Sequence, residues 1–573
     1  MKKFKSYILV AMMGLAVSSC EDFLTLMPLN EVVLENYWTE GADVESVLRG
    51  AYAALESSDC LLRMAAWGEF RSDNIVSGTD NTQSSDEMNK FIDENINENN
   101  EITTYLCFYK TINYANTVLH FAPEVHKKDP NYRGGNLRAH QAEAIAIRSL
   151  CYWYLIRAFR DVPYVTIPSI DDTHDFFIGQ TKFEVILDSL INDLEQVKDN
   201  AWPHIKKDLT NAANSSRFTR AGIYAMLADM YLWKGDWDKC IECCKYVDNV
   251  KRADYQTLFD EKGTGCNITL VGKYDKYPLI NGADADKQAS RAYNEIFGTG
   301  NSFESLFELP YGSDRSNGFV SDYYNDGSNP DVGRVKAYTP IGKIDNSSVF
   351  LTPCDSRYYE DLLKTSNGTD YGIVKYVYQK MDYKLEGTSA TYSGKYPGTF
   401  RQSNSASPNW VIYRYSEVLL MQAEARVMKA KVAGETTTEG IAQLDTAFQI
   451  VNAIYNRAIC KDVNTTAPSL DQTKYTTVET MEKLVFDERR REFLFEGKRW
   501  FDLVRLAMRN GNSKDVFTAV QGKYEGNTRS IEIKFNNPYG LFLPINKEEI
   551  KINDKLKQNP AYQRTEEVIQ KAK

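Results

Sequence analysis

Hydrophobic positions recur along this chain mainly at helical spacing. In residues 41–56, GADVESVLRGAYAALE, Val44, Val47, Leu48, Ala51 and Leu55 fall three, one, three and four apart. That spacing predicts an amphipathic helix. Residues 141–160, QAEAIAIRSLCYWYLIRAFR, are apolar around most of the helical circumference, the pattern of a helix buried on all sides. Asp161, Val162 and Pro163 follow and stop it.

The clearest repeating unit is 217–249, RFTRAGIYAMLADMYLWKGDWDKCIECCKYVDN. Tyr224, Leu227, Ala228 and Tyr231 take the large, large, small and aromatic places of the first helix of a tetratricopeptide unit. Gly235 and Asp236 supply the turn, and Cys240, Cys244 and Val247 take the second-helix places. The cluster Cys240, Cys243, Cys244 then reads as packing, with cysteine acting as a small hydrophobe. A zinc site would want a second ligand pair, and none of the five histidines is nearby in sequence. A second unit spans 414–459, with RYSEVLLMQAEARVM as one helix and IAQLDTAFQIVNAIYNRA as its partner.

A further helix, from near Val478, carries ERRREFLFEGKRWFDLVR, residues 488–505. On one continuous helix Glu488, Glu492 and Glu496 form an acidic stripe. Leu494, Gly497, Phe501 and Val504 form the apolar face, and Lys498–Asp502 and Asp502–Arg505 pair at i,i+4 and i,i+3. Gly497 costs about 1 kcal/mol in helix propensity and lets another helix approach closely. The stretch is expected to pack the last repeat onto the scaffold.

Between these blocks, over 251–409, the texture changes to Gly, Ser, Asn, Asp and Tyr, as in YGSDRSNG and YYNDGSNPDVG. Loop-rich stretches of such length are usually functional. A shorter polar loop covers 71–104. The predicted architecture is mainly α: one domain from 20 to 573, a tetratricopeptide-like helical-pair scaffold with a large loop-rich insertion. Its parts are a helical region 20–250, the ligand-side excursion 251–409, repeat helices 410–510 and a mixed segment 511–573.

The first residues change the picture of where this body works. Lys2, Lys3 and Lys5 precede a mostly apolar run, Tyr7 to Val17. Eleven residues are too few to span a bilayer, which needs about 20, but they suit a secretory leader. Val17-Ser18-Ser19-Cys20 resembles a bacterial lipobox, with 1–19 as leader and Cys20 as the lipidated N-terminus. Acyl chains contribute about 0.8 kcal/mol per buried CH2, so several hold a body firmly on a membrane. Glu21 and Asp22 resemble signals that send lipoproteins to the outer face of the outer membrane. Without the leader the chain has 65 basic and 78 acidic residues, a net charge of −13. That balance argues against nucleic acid, which requires a basic face, and leaves neutral ligands open.

No G-x-S-x-G, H-E-x-x-H, P-loop or G-x-G-x-x-G signature is present. The paired carboxylates of a glycosidase are not singled out among 78 acidic residues. The acidic loops Asp326–Asp331 and Asp284–Asp286 lack EF-hand spacing and its closing Glu, and read as solvated loops. No metal or cofactor is expected. The aromatic share is more telling, with 36 Tyr, 26 Phe and 8 Trp. Sugar rings need flat aromatic faces and nearby groups that meet hydroxyls. Two neighbourhoods offer both: Trp67, Arg71, Asp73 and Asn74, and the set Tyr293, Phe297, Phe303, Tyr311, Tyr323 and Tyr324. Each aromatic taken singly is also explained as a core residue anchoring its loop.

An ordered set of motifs joins these readings. Cys20 to Leu24, Pro28, Asn36 to Trp38, Gly50 to Tyr52, Gly68 to Asn74, Tyr109, Ile112, Asn116 and Arg148 leading to Pro163 come first. The repeat at 217–249, the stretch Arg414 to Ala425 and the stretch 488–505 complete it. Together they resemble the SusD/RagB family of outer-membrane glycan-binding lipoproteins. The resemblance implies a binding protein, not an enzyme, that captures glycan at the cell surface and passes it to a SusC-like TonB-dependent transporter. It carries the ligand site over only by region, to the loop around Trp67–Asn74 and the insertion at 290–330. A tethered glycoside hydrolase and a repeat scaffold that binds peptide or protein are the alternatives.

Overall fold

The computed structural model describes residues 37–563, apart from 79–85, 171–176, 274, 285–288, 313, 326–332, 345–348, 367, 383, 386–393, 396–397, 402–406, 461–468, 525 and 527. The leader, Cys20 and most of both acidic loops fall outside the described residues.

Helix α1 (Gly41–Leu55) buries Val44, Leu48, Ala51 and Leu55, the stripe its spacing predicts. The short α2 (Ser58–Ala65) is capped by the Ser57 hydroxyl, which accepts from the Cys60 amide. Helices α3 (Leu106–Lys128) and α4 (Gly134–Phe159) pack along each other and against α1. From Ala142 onward α4 is buried on nearly every side. It ends one residue before the expected breaker: Arg160 has φ 69° and ψ −76°, and the Asp161 amide donates to the Phe159 carbonyl at 3.0 Å. The chain thus leaves α4 through a strained γ-turn. Helix α5 (Phe183–Val197) then packs back on α4.

The first predicted repeat forms as α6 (Arg220–Lys234) and α7 (Trp237–Lys262). Gly235 takes the left-handed conformation at φ 81°, which a Cβ would penalise, and Asp236 caps α7 by accepting from the Lys239 amide. Cys240, Cys243 and Cys244 are buried free thiols, and burial raises the Cys240 and Cys243 thiols far above their ordinary range. Helix α7 runs eleven residues past position 251, because its later turns pack on a β-hairpin and Lys251 donates to the Phe303 carbonyl. The second repeat is α8 (Tyr415–Ala433) with α9 (Thr438–Ala458), and α7 packs directly on α8.

The excursion between the repeats is zipped at its base. Strand β2 (Ser305–Leu309) pairs antiparallel with β4 (Trp410–Arg414), Leu309 opposite Trp410. A four-stranded antiparallel sheet draws in the shorter N-terminal loop. Here β1 (Ile75–Ser77) pairs with β3 (Val335–Ala337), with Ile75 opposite Ala337, and strands at Tyr371–Ile373 and Leu362–Lys364 complete the order. The two loop regions, whose paired strands lie about 260 residues apart in sequence, are therefore one assembly.

The stretch 488–505 is not one helix. Helix α10 (Val478–Glu492) ends, the chain turns through Phe495 (φ 64°) and Gly497 (φ 73°), and α11 (Arg499–Asn510) follows. The amides of Phe495, Gly497 and Lys498 donate to the Glu69 carboxylate at 3.1–3.4 Å rather than to helical carbonyls. A buried acid from the far end of the chain thus supplies what a continuing helix would supply internally. Of the two expected pairs, Asp502–Arg505 forms at 2.8 Å, whereas Lys498 reaches Glu417 at 2.7 Å.

Candidate functional site

The first predicted neighbourhood lies in the core. Trp67 stacks on Phe108 at 5.1 Å, meets Phe159 edge-on and spends its indole N–H on the Ile102 carbonyl. Arg71 bonds Glu94 and the carbonyls of Gly540 and Leu541, with its guanidinium 4.1 Å from the Trp500 ring centroid. Asp73 receives Arg490 and Arg499, both at 2.9 Å, and those cations hold its carboxyl well below the usual range against the cost of burial. Asn74 donates to Glu69 at 2.7 Å and accepts from Arg490 at 2.8 Å. Arg71, Asp73 and Asn74 tie the N-terminal helices to the 488–505 stretch, Trp67 packs between α3 and α4, and their polar atoms already have partners. Their expected place at an open loop mouth is corrected by this burial.

Much of the second set is also internal. The Tyr293 hydroxyl is held at the Val374 and Tyr378 carbonyls. Phe297 lies under Lys375 and meets Tyr376 edge-on. Tyr324 donates to the Phe495 carbonyl at 2.8 Å. Trp410 stacks on Tyr376 at 5.0 Å and meets Phe319 edge-on, so it is packing rather than a ligand platform. An aromatic column thus runs from Tyr293 through Phe297, Tyr376 and Trp410 to Phe319. Phe303 is half-buried beneath the Lys251 ammonium, 5.0 Å away.

Tyr311 lies at the rim, and Tyr323 lies nearly buried just beneath it. Tyr323 is stacked on Phe319 at 5.3 Å and keeps 9% of its surface exposed, with the half-exposed Arg334 guanidinium 5.3 Å from its ring centroid. Burial raises its hydroxyl pKa. Tyr311 is half-buried, and its hydroxyl donates to the Glu56 carbonyl at 3.0 Å. Arg315 grips the end of α1 at Glu56 and the Ala53 carbonyl, and Asn317 donates to the Pro408 carbonyl at 2.9 Å. The loop 310–324 is thereby pinned at both ends while Asp314, Arg315, Ser316 and Asp322 face solvent.

The base of this face has no room for side chains. A Cβ on Gly78 would sit 2.0 Å from the Gly333 carbonyl oxygen, and the Gly78 amide donates to the Arg334 carbonyl at 2.8 Å. This closure fixes Arg334 beside Tyr323. Neither Arg334 nor Arg315 stands out in sequence, since each is an isolated arginine in a polar run. Only the pairing of β1 with β3 brings out Arg334.

Comparison with known proteins agrees with the scaffold. Residues 286–562 match the model of the SusD family, and residues 23–232 match a model described as starch-binding associating with outer membrane. The chain belongs to the SusD/RagB family. SusD-like protein P38 of Formosa agariphila is 24% identical over 531 residues, covering 88% of this chain and 92% of that protein. A SusD superfamily protein from Bacteroides thetaiotaomicron superposes with a TM-score of 0.60 at 16% identity, covering 92% of this chain and 99% of its own. A laminarin-binding SusD-like protein superposes with a TM-score of 0.61 at 18% identity, covering 91% of this chain and all of its own. The mainly α, tetratricopeptide-like fold expected from the repeats is the SusD fold. Among the described residues no helix is long and apolar enough to cross a membrane.

Proposed function

We propose that this SusD-family protein binds an oligosaccharide or polysaccharide at the face carried by β1, β3 and the 310–324 loop. The observation that carries the reading is the Tyr323–Arg334 pair: a half-exposed guanidinium held over a nearly buried aromatic ring at the edge of the loop face. The half-exposed Arg334 offers planar donors to sugar hydroxyls, and the half-buried Tyr311 offers the nearby aromatic surface for a sugar's apolar side. Tyr311, Asp314 and Asp322 extend the same rim. Each hydrogen bond contributes about 0.5–1.5 kcal/mol, so affinity per site is modest. The SusD-like relatives, one of them laminarin-binding, support glycan as the ligand class.

In this reading Cys20 carries the lipid anchor, the protein stands on the outer face of the outer membrane, and it passes its ligand to a SusC-like TonB-dependent transporter. It binds without hydrolysing. A glycan panel read by affinity electrophoresis and calorimetry, with reducing sugar assayed alongside, tests this. Binding without release of reducing sugar supports it. Release that one carboxylate substitution abolishes would favour the tethered hydrolase, and no affinity for any glycan would favour the protein-binding scaffold. Co-purification of a large barrel from membranes tests the partner.

A further inference from the structure

An apolar groove of about 430 Å³ lies along α3 and shares no lining residue with the loop face. Leu106, Tyr109 and Ile112 line it from α3, Ile167 from the segment after α4, and Ile552 from the short helix Lys547–Ile552. Leu106 keeps 72% of its surface exposed, Ile552 67% and Ile167 50%. Single exposed apolar side chains are ordinary, but a contiguous set of them marks an interaction surface. A concave set fits a chain segment better than it fits a flat bilayer.

The groove is fastened in its open shape. The Asn116 side-chain amide donates to the Val165 and Ile167 carbonyls, each at 3.2 Å, and its oxygen accepts from Arg148 at 3.0 Å. The Ser169 amide donates to the Asn113 side chain and the Tyr109 hydroxyl to the Pro163 carbonyl, both at 2.7 Å. Polar groups of α3 thus hold the backbone from 163 to 169, and Ile167 stays outward. Further along α3, Trp38 stacks on Phe121 at 4.8 Å. Trp38 is 1% exposed, yet its indole N–H has no acceptor among the described residues. Buried donors are nearly always paired. The chain that arrives at Trp38 is 20–36.

We propose that the groove receives the protein's own N-terminal tether, the stretch 23–29, FLTLMPL. Its Phe23, Leu24, Leu26, Met27 and Leu29 supply apolar surface for the exposed Leu106, Ile167 and Ile552. The reach suffices. Phe121 and Leu106 are about 22 Å apart along α3 at roughly 1.5 Å per residue. Extended chain covers about 3.3 Å per residue, so Leu29 can stand about 30 Å from Trp38, with slack for a path around the helix. A carbonyl of 30–36 then pairs the Trp38 indole. Docking leaves Cys20 only a few residues from the body, whereas the free tether extends to about 55 Å. With the lipid anchor read above at Cys20, docking sets how far the body stands from the membrane and turns the groove side toward it. That consequence rests on the anchor reading; the docking itself does not.

The test uses the unacylated mature chain, 20–573 with Cys20→Ser, so the result does not depend on the anchor. Chymotrypsin is added at several protein concentrations, and cleavage within 23–29 is followed by mass spectrometry. The variants are Leu106→Asp/Ile552→Asp and the milder Leu106→Gln/Ile552→Gln, each checked for an unchanged thermal midpoint. The expected result is cleavage at least tenfold faster in the Asp variant and faster in the Gln variant, at every concentration. Equal rates in the parent and both variants would overturn the proposal. So would protection that grows with protein concentration as a dimer forms, which would assign the groove to a second copy. Protection that needs vesicles containing phosphatidylglycerol would overturn it in favour of a membrane surface. Glycan affinity, measured alongside, is expected to be unchanged in the groove variants, and the loop-face reading stands or falls on that affinity alone.

Discussion

The carbonyl oxygen of Gly497 lies 1.7 Å from where a Cβ on Gly68 would stand. Two segments more than 400 residues apart therefore meet backbone to backbone, and the contact sets the Glu69 carboxylate among the amides of the 495–498 turn. Gly68→Ala has no room without moving main chain. Overpacking of a core costs about 1–3 kcal/mol, and this clash is with backbone. A loss of at least that size is expected in urea unfolding, while Gly135→Ala, which meets nothing within 4 Å, leaves the midpoint nearly unchanged.

Glu492 is the hub of a buried ion network. Its carboxylate takes Arg414 at 2.6 Å, Arg357 at 2.8 Å and Arg457, and those arginines hold its pKa well below the usual carboxylate range despite burial. Removing one partner of a buried pair strands the others, at a cost of about 3–5 kcal/mol. Glu492→Ala is expected to lose that much stability in chemical denaturation. Exchange of the exposed Glu548, which pairs with Lys551 at the surface, is expected to cost under about 1 kcal/mol.

Two buried groups give opposite pH slopes. Burial pushes Glu69 up to about 7, against the donors around it. The native state therefore keeps a proton that the unfolded chain releases near 4.5, and stability falls as pH rises from about 4.5 to 7. Burial pushes Lys523 down to about 7, with Glu94, Asp93 and Asp73 opposing, while its ammonium is caged by the Phe70, Ser72 and Ile75 carbonyls. The unfolded chain then holds a proton the native state lacks, and stability rises from pH 7 to about 10.5. Each displacement corresponds to about 3–5 kcal/mol across its window. Urea midpoints against pH are expected to lose the first slope in Glu69→Gln and the second in Lys523→Met.

Trp67 is a core residue. Trp67→Ala is expected to cost about 3–5 kcal/mol while protein that remains folded keeps its glycan affinity. Weakened glycan binding by a variant of unchanged stability would return Trp67 to the ligand site.

The helical repeats were legible because their signal is local. Tyr224, Leu227, Ala228, Gly235 and Cys240 specify a helix, a turn and a helix within twenty residues. The 488–505 stretch misled because periodicity sees only its own neighbours, and Glu69, which breaks the helix, lies far away in sequence. Trp67, Arg71 and Asp73 read as ligand groups because aromatic and charged residues have the same composition in a buried ion network as in a sugar site. Arg490, Arg499 and Glu94 decide between the two, and each becomes a partner only once the chain is folded. The Tyr323–Arg334 pair was half visible, as an aromatic without its cation.

The most direct test of the account compares Arg334→Ala and Tyr323→Ala with the parent protein in calorimetry, using whichever neutral glycan the panel shows to bind. The loop-face assignment predicts at least tenfold weaker binding in both variants, with the Arg334→Ala thermal midpoint within about 2 °C of the parent, as expected for a surface substitution. Unchanged affinity in Arg334→Ala and Tyr323→Ala, with the protein folded, would contradict it.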